Sequence, residues 1–291
     1  MVKVIVKNNY NYLQKGFRVK GKLFVREEYL GKEVPKNIIE VKNYFSKTIR
    51  DERFLNDILT IQKNFQKEFK SMPEIAKKKS LEHFAVKFTY NSQAIEGSTI
   101  TLKETKFLVE EGFAPKRSIK EIDETREHHK LFFEMLEYKE DLSKQLILFW
   151  HKRLFERSYP DIAGKVRTHD VKVAGSKTNF PVHIEVEHLL DEFLVWYKKN
   201  KNKLNPVELA ALVHLKFVSI HPFSDGNGRM SRLIMNFVLY KNDYPMVDIA
   251  YEKRESYYNA LEKSNLNEDE NYFIEFIIKK YLEEYKEYLK K

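Results

Sequence analysis

A dense polar segment lies between two apolar stretches of the chain, and its residue types suit phosphate chemistry. It reads His221-Pro222-Phe223-Ser224-Asp225-Gly226-Asn227-Gly228-Arg229-Met230-Ser231-Arg232. Because a proline disfavours the α conformation in the residue before it, the preceding helix should end at His221. Gly226 and Gly228 tolerate backbone conformations that turn successive N–H groups toward one anion, and a helix starting near Gly228 would add its N-terminal amides. The segment therefore predicts a phosphate site.

The side chains of this segment suit phosphoryl or nucleotidyl transfer to an alcohol. His221 titrates near neutrality and can take a proton from an incoming hydroxyl. Asp225 is a hard oxygen ligand, and Mg²⁺ typically binds through one or two carboxylates together with substrate phosphates. Arg229 and Arg232 are three positions apart on a helix and can hold phosphate oxygens at the same end. A zinc site is disfavoured because no third ligand clusters with His221 and Asp225.

Two common phosphate-binding motifs do not fit this segment. A Walker A loop needs the order Gly-x-x-x-x-Gly-Lys-Ser/Thr, and the dinucleotide fingerprint needs a further glycine and a preceding strand. The run from Gly226 to Ser231 lacks that glycine and follows a helical pattern. The segment must therefore belong to another class of anion-binding loop.

A second feature is a glutamate at the end of a predicted helix, in Asn91-Ser92-Gln93-Ala94-Ile95-Glu96-Gly97. The helix is predicted from about Glu74 to Ile95, and Gly97 stands where a C-cap glycine belongs. A carboxylate at this end opposes the helix macrodipole. Local sequence leaves open whether Glu96 is simply exposed or pairs with an arginine.

The elements that must position these residues are mostly helical. Residues 1–34 alternate like the strands of a small antiparallel sheet, and the period becomes helical from about residue 35. A capping box is predicted at Thr101 and Glu104. Residues 171–173 and 181–186 alternate on either side of a turn, which predicts a β-hairpin whose edge could take an extended segment of a target protein. Longer helices are predicted over about 54–69, 118–139, 145–155, 207–220, 228–241, 254–261 and 270–290.

Composition limits the class of protein. The chain has 291 residues, 42% of them hydrophobic, and no cysteine, which excludes disulfides, thiolate metal sites and a cysteine nucleophile. No apolar run is long enough to span a membrane and no secretory leader is evident, so a cytoplasmic protein without a membrane partner is expected. The net charge of +9 comes from a lysine-rich surface and permits nucleic-acid binding without indicating it.

Together, the two polar segments resemble the Fic family. His221-Pro222-Phe223-x-Asp225-Gly226-Asn227-Gly228-Arg229-x-x-Arg232 matches the signature of that family, and Ser92-x-x-x-Glu96-Gly97 matches its inhibitory-helix motif. The resemblance covers about residues 75–280. It implies a mainly α fold, a Fic-fold helical bundle with a β-hairpin flap, preceded here by the small N-terminal antiparallel β element.

The domain organisation expected from this resemblance has four parts. Residues 1–34 form the β element, for which the resemblance implies no role, and residues 35–74 form a helical connector. Residues 75–280 form the Fic domain, with the inhibitory helix at about 80–96. Residues 281–291 form the end of the C-terminal helix.

The resemblance implies transfer of AMP from ATP to a Ser, Thr or Tyr hydroxyl of a protein, with release of pyrophosphate. His221 would be the general base and Asp225 the Mg²⁺ ligand. Arg232 would clamp the γ-phosphate, unless the inhibitory Glu96 pairs with it and blocks the productive pose of ATP. The other implied residues are the phosphate cradle Gly226, Asn227 and Gly228; Arg229 at the α- and β-phosphates; the base pocket Tyr257, Tyr258 and Asn265; the inhibitory-motif residues Ser92 and Gly97; and the flap Gly175, Ser176, Lys177, Thr178, Asn179, Phe180 and Pro181.

Alternatives remain open within and beyond this family. Glu96 could position water for the removal of AMP from a modified protein, or the enzyme could transfer another nucleotidyl or phosphate-containing group. A branch that phosphorylates its target has lysine in place of the second glycine, so Gly228 argues against that branch. A different class of function is a non-catalytic nucleotide- or DNA-binding regulator. The sequence does not identify the target protein, and it leaves self-modification and a homodimer open.

Overall fold

The N-terminal residues form a three-stranded antiparallel sheet. The computed structural model describes residues 2–19, 21–172 and 177–290. Strands β1 (Lys3–Lys7), β2 (Tyr10–Val19) and β3 (Lys22–Gly31) lie in the order β1-β2-β3. On one face of the sheet, Leu13 packs in a small core with Phe45 of the first helix. The strand alternation in the first 34 residues thus predicted this sheet correctly.

The rest of the described chain is mainly helical. Short π-helical turns cover 51–55 and 107–111, and 3₁₀ turns cover 251–253 and 286–289. None of the helices in the described ranges is both long and apolar enough to cross a membrane. The α-helices are α1 (Ile38–Arg50), α2 (Asn56–Ser71), α3 (Glu74–Ile95), α4 (Leu102–Lys106), α5 (Ile119–Glu137), α6 (Lys144–Phe155), α7 (His183–Asn200), α8 (Pro206–Ile220), α9 (Asn227–Lys241), α10 (Arg254–Leu266) and α11 (Asn271–Glu284).

Local signals determine several helix ends. The predicted capping box is present: the Glu104 N–H donates to Thr101 Oγ1 over 3.2 Å, and the Glu104 carboxylate accepts from the Thr101 N–H over 2.8 Å. Pro206 occupies the first turn of α8, where its missing N–H is not needed. Helix α3 ends at Ile95, and Gly97 follows with a left-handed φ of 97°. These ends agree with the sequence prediction.

Helices α8 and α9 form the centre of the hydrophobic core. Most residues of both helices are buried, as expected of helices that are enclosed by others. The side chains of α9 from Leu233 to Leu239 are all buried. The polar segment of residues 221–226 connects these two helices, so its ends are fixed by the most densely packed part of the protein.

The hairpin predicted for residues 171–186 is wrong in the part that the structure describes. Residues 171, 172 and 177–182 form no strand, and α7 begins at His183. Val186, Leu190 and Phe193 are buried at helical spacing along α7. The helical pattern of buried residues covers a longer stretch than the alternation from residue 181 to 186, and the segment folds as a helix.

Candidate active site

His221 lies at the point where α8 ends. Its φ of 52° is left-handed, and the following proline prevents the helix from continuing. Its Nδ1 lies 3.2 Å from the Val218 carbonyl oxygen. An N–H on Nδ1 can donate to this carbonyl, which leaves Nε2 as the proton-accepting nitrogen. Burial lowers the pKa of His221 below its ordinary value, so the imidazole is neutral at pH 7 and can act as a base.

Asn227 and Gly226 fix the shape of the loop. The Asn227 side chain donates to the Phe223 carbonyl oxygen over 2.7 Å and accepts from the Phe223 N–H over 2.8 Å. Gly226 has a φ of 83°, and a Cβ there would overlap the ring of Phe155. The amide group of Asn227 is therefore used to close the loop, and its contribution to an anion site is its backbone N–H in the first turn of α9.

A carboxylate lies at the N-terminus of α9. It belongs to Glu96, which is the C-cap residue of α3. Glu96 approaches the cradle so closely that a Cβ at Gly228 would overlap its carboxylate. The first N–H groups of a helix have no partner within the helix and carry partial positive charge. Glu96 thus lies where the backbone favours an anion.

Arg232 is the charged partner of Glu96, 136 positions further along the chain, and its Nη2 donates to Glu96 Oε1 over 2.7 Å. Its Nε donates to Ser92 Oγ and its Nη2 to the Ser92 carbonyl oxygen, both over 2.9 Å. The residue is only 1% exposed. Burial alone would lower the pKa of Arg232, but Tyr257 and Glu96 beside it raise the pKa above its ordinary value. The structure therefore brings together the three polar residues Ser92, Glu96 and Arg232.

Arg229 is buried behind the loop and does not line the cavity described below. One Nη donates to Gln93 Oε1 over 3.1 Å and also to Glu124, while the other donates to Asp225 Oδ1 over 3.0 Å. The guanidinium carbon lies 4.6 Å from the centre of the Phe155 ring. In this arrangement Arg229 connects α3, α5 and the loop, and it orients the carboxylate of Asp225.

Asp225 has the exposure expected of a metal ligand that shares its cation with a substrate. Its side chain is 42% exposed, and its Oδ1 accepts from the Gly226 N–H over 2.5 Å. Within the described ranges, no group of three or more His, Cys, Asp or Glu side chains could hold a metal ion. A cation at Asp225 would complete its coordination with ligand oxygens, as Mg²⁺ does with nucleotide phosphates. The residues present fit that use.

One cavity of about 670 Å³ lies beside these residues, but neither Arg229 nor Arg232 lines it. Its volume lies within the range of about 300–1,000 Å³ that is usual for small-molecule sites. His221, Asp225, Gly228 and Glu96 line one part of it. The rest of the lining includes the three residues predicted for the base pocket, Tyr257, Tyr258 and Asn265.

Each predicted base-pocket residue also has a hydrogen bond that fixes its position. The Tyr258 hydroxyl donates to the Ile95 carbonyl oxygen over 3.0 Å, which connects α10 to the end of α3. The buried Tyr257 hydroxyl accepts from Arg232 over 3.2 Å. Asn265 Oδ1 accepts from the Ser219 hydroxyl over 2.8 Å.

The predicted flap borders the cavity as an irregular segment. Thr178 and Phe180 line the cavity, and the Phe180 ring centre lies 4.3 Å from that of His221. The Lys177 N–H donates to Glu262 Oε1 over 3.0 Å. Gly175 and Ser176 lie outside the described residues, while Asn179 and Pro181 belong to the irregular segment.

Arg167 positions the loop and the flap together, and sequence reasoning missed it. Its side chain is fully buried. Its three donor nitrogens bond to the carbonyl oxygens of His221 over 2.8 Å, His169 over 2.9 Å and Pro181 over 2.6 Å. The only available signal was an arginine in a region without clear periodicity, and nothing local predicts its burial.

His151, which the sequence analysis did not single out, also supports the loop. Its Nε2 lies 3.0 Å from the Asp225 carbonyl oxygen, and its Nδ1 accepts from the Gly164 N–H over 2.9 Å. Its ring stacks on Phe223 with 3.6 Å between ring centres. Burial lowers the pKa of His151 to about 4, so it is neutral and holds the loop without adding charge.

Comparison with known sequences places this site in a family. Residues 141–239 match the family described as Fic/DOC. The chain is 34% identical over 208 residues to the protein adenylyltransferase Fic of Nematostella vectensis, covering 69% of this chain and 48% of that protein. It is 33% identical over 199 residues to the protein adenylyltransferase fic-1 of Caenorhabditis elegans, covering 66% of this chain and 39% of that protein. The chain thus spans less than half the length of these curated relatives.

Solved structures show the same fold. A Fic-domain-containing signalling protein from Bacteroides thetaiotaomicron is 26% identical, with a TM-score of 0.70 over 79% of this chain and 96% of that chain. A fragment of C. elegans Fic-1 is 26% identical, with a TM-score of 0.71 over 87% of this chain and 75% of that chain. With the signature loop and the helical fold described above, these matches show that the chain belongs to the Fic/DOC family.

Proposed function

We propose that this protein is an adenylyltransferase that transfers AMP from ATP to a Ser, Thr or Tyr hydroxyl of a protein. The observation that carries the proposal is the placement of a neutral histidine and a helix N-terminus in one cavity of about 670 Å³. A base and an anion cradle are the two parts that attack of an alcohol on a phosphate requires. The names of the curated relatives, protein adenylyltransferases, support the same reaction.

In the proposed reaction, the hydroxyl oxygen of the target forms a bond to the α-phosphorus of ATP. His221 Nε2 takes the hydroxyl proton, and the bond from the α-phosphorus to the bridging oxygen breaks, which releases pyrophosphate. The backbone N–H groups at the start of α9 face the phosphate oxygens, where negative charge develops. Bound Mg²⁺ would neutralise phosphate charge, and Asp225 is the side chain that would hold it.

We propose further that the conformation described here is autoinhibited. The Glu96 carboxylate lies against Gly228 and pairs with Arg232, the residue assigned to the γ-phosphate. Two anions cannot share this place, because they would overlap and repel each other. ATP would therefore bind productively only when Glu96 has moved away.

Removal of AMP from a modified protein is a second candidate activity. Glu96 lines the same cavity as His221, so its carboxylate could orient water toward a phosphate bound there. A pre-modified target protein would lose labelled AMP when incubated with the wild-type chain. If this activity exists and uses Glu96, the Glu96→Gly variant will not release the label.

Transfer of label from α-labelled ATP in the presence of Mg²⁺ tests the main proposal. The Glu96→Gly variant, incubated with cell lysate, should label at least one protein, itself included, and mass spectrometry would identify the modified hydroxyls. Adding His221→Ala should abolish the label, while His188→Ala, at an exposed histidine of α7, should not. Labelling that persists without His221 would remove it from the role of base. A folded Glu96→Gly variant that binds ATP but labels nothing would overturn the proposed function.

A further inference from the structure

A second cavity lies where the N-terminal sheet meets α11. Its volume is about 510 Å³, and its lining includes Lys15 and Phe17 of β2 and Tyr272 and Glu275 of α11. Among the described residues, it shares no lining side chain with the candidate active site. This cavity belongs to the part of the chain for which the sequence indicated no role.

The lining of this cavity carries an excess of positive charge. Lys15 Nζ lies 3.1 Å from one oxygen of Glu275, and Arg53 and Lys279 each lie 3.4 Å from the other. Three cations therefore surround one carboxylate. With Arg18 and Asp269 included, four cations and two carboxylates line the cavity, which gives a net charge of +2. The cations of the cavity repel each other, and a further anion bound in the cavity would reduce that repulsion.

Two of these cations are held in place by burial. Lys15 is 5% exposed, and the Arg53 side chain is 10% exposed. The excess of positive charge on these fixed side chains therefore indicates an anionic ligand.

Aromatic side chains form the remaining walls. Phe17, Tyr272 and Phe276 line the cavity, and the Arg53 guanidinium lies 5.4 Å from the centre of the Phe17 ring. Aromatic side chains bind nucleotide bases by stacking, with little preference for a particular base. A volume of 510 Å³ is far larger than phosphate alone requires and falls within the usual range for small organic ligands.

We propose that this cavity binds a nucleoside monophosphate. Its phosphate, which carries up to two negative charges, would balance the net charge of +2 beside Lys15, Arg53 and Lys279. Its base would lie against Phe17, Tyr272 and Phe276. The site is distinct from the AMP-transfer centre, and the proposal does not depend on the transfer reaction.

Isothermal titration calorimetry with AMP tests this site. Arg53→Gln should weaken AMP binding about 10- to 150-fold, because it removes a charge-assisted contact worth about 1.5–3 kcal/mol. Lys279→Gln should weaken binding about threefold or more, since that side chain is 60% exposed. The matched control is Lys286→Gln, the same charge change at an exposed lysine outside the cavity, which should leave the affinity unchanged.

Further ligands separate the contributions of base and phosphate. AMP should bind at least about tenfold more tightly than ribose 5-phosphate because only AMP can stack on the aromatic walls. Adenosine should bind more weakly than AMP because it lacks the phosphate. If AMP bound only at the candidate active site, neither Arg53→Gln nor Lys279→Gln would differ from the control, and the proposal would be overturned. Lys279→Gln keeps the test decisive if Arg53→Gln does not fold.

Discussion

Replacing Glu96 by glycine should convert the protein from an inhibited to an active state. Arg232 is 1% exposed and donates to Glu96 over 2.7 Å, so the contact is a charge-assisted hydrogen bond at the edge of the core. Such bonds contribute about 1.5–3 kcal/mol. If ATP must displace this contact to bind productively, its loss should raise the rate of AMP transfer about 10- to 150-fold, since 1.4 kcal/mol is a factor of ten.

The measurement is the initial rate of label transfer from α-labelled ATP with Mg²⁺, at ATP concentrations well below saturation. Glu96→Gln keeps the size of the side chain and removes its charge, so its rate should fall between those of the wild-type and glycine variants. Glu82→Gly places the same substitution in α3, away from Arg232, and controls for weakening of the helix. Its rate should match the wild type.

The proposed competition between Glu96 and ATP would be refuted if the Glu96→Gly variant were folded, bound ATP and transferred AMP no faster than the wild type. A similar rise in the Glu82→Gly variant would point to a loosened helix and also contradict the role of the Glu96 carboxylate.

Two further predictions address the candidate active site, and a third addresses Glu275 in the second cavity. In the Glu96→Gly background, Gly228→Ala should lower AMP transfer about 100-fold or more, because the added methyl projects into the anion position and blocks a group of preorganised donors. In the same background, Arg167→Lys should lower kcat about tenfold with the nucleotide Kd unchanged, since it loses the three-carbonyl fork that positions the His221 loop; calorimetry and rate measurements separate the two effects. Burial alone would raise the pKa of Glu275, but Lys15 and its other cations lower it from 4.5 to about 2, so this carboxylate should stabilise the fold above pH 4.5 by about 3 kcal/mol and lose that contribution as the pH falls toward 2. Urea unfolding at pH 7 and pH 3 should show a smaller difference for Glu275→Gln than for the wild type.

The helices that carry the site could be predicted because their ends have local signals. Pro222 ends α8 after His221, and Gly97 follows the end of α3 with a left-handed φ of 97°. The sequence also shows both glycines of the cradle and Glu96, whose charge opposes the macrodipole of α3. The pairing of Glu96 with Arg232 was inferred from the family resemblance, and the structure contains that contact.

The supports of the site could not be predicted, because their partners are remote in sequence. Helical spacing placed Arg229 at the same end of α9 as Arg232, but it did not show that Arg229 donates to Glu124 of α5. Which carboxylate Arg229 meets depends on how α5 packs, and no local pattern encodes that. Arg167 was missed for the same reason, since its acceptors are carbonyl oxygens that any residue provides.

The hairpin error has a different physical origin. Alternation over six residues is compatible with a strand and with the first turns of a helix, and the period becomes distinctive only over a longer stretch. The buried positions of α7 extend to Tyr197, so most of the helical signal lies beyond residues 181–186.

The same positive groups would hold Glu96 in the inhibited state and a phosphate of ATP in the active state. The amides of α9 and the guanidinium of Arg232 favour an anion, and they do not distinguish the carboxylate of Glu96 from a phosphate. A substitution that weakens the cradle should therefore weaken inhibition and ATP binding together, whereas a substitution of Glu96 separates them. Helix α3 is anchored independently of Glu96, because Asn91 donates to Asp248 over 2.6 Å and accepts from the Tyr251 N–H over 3.0 Å. This anchoring favours release by rotation of the Glu96 side chain, with α3 remaining in place.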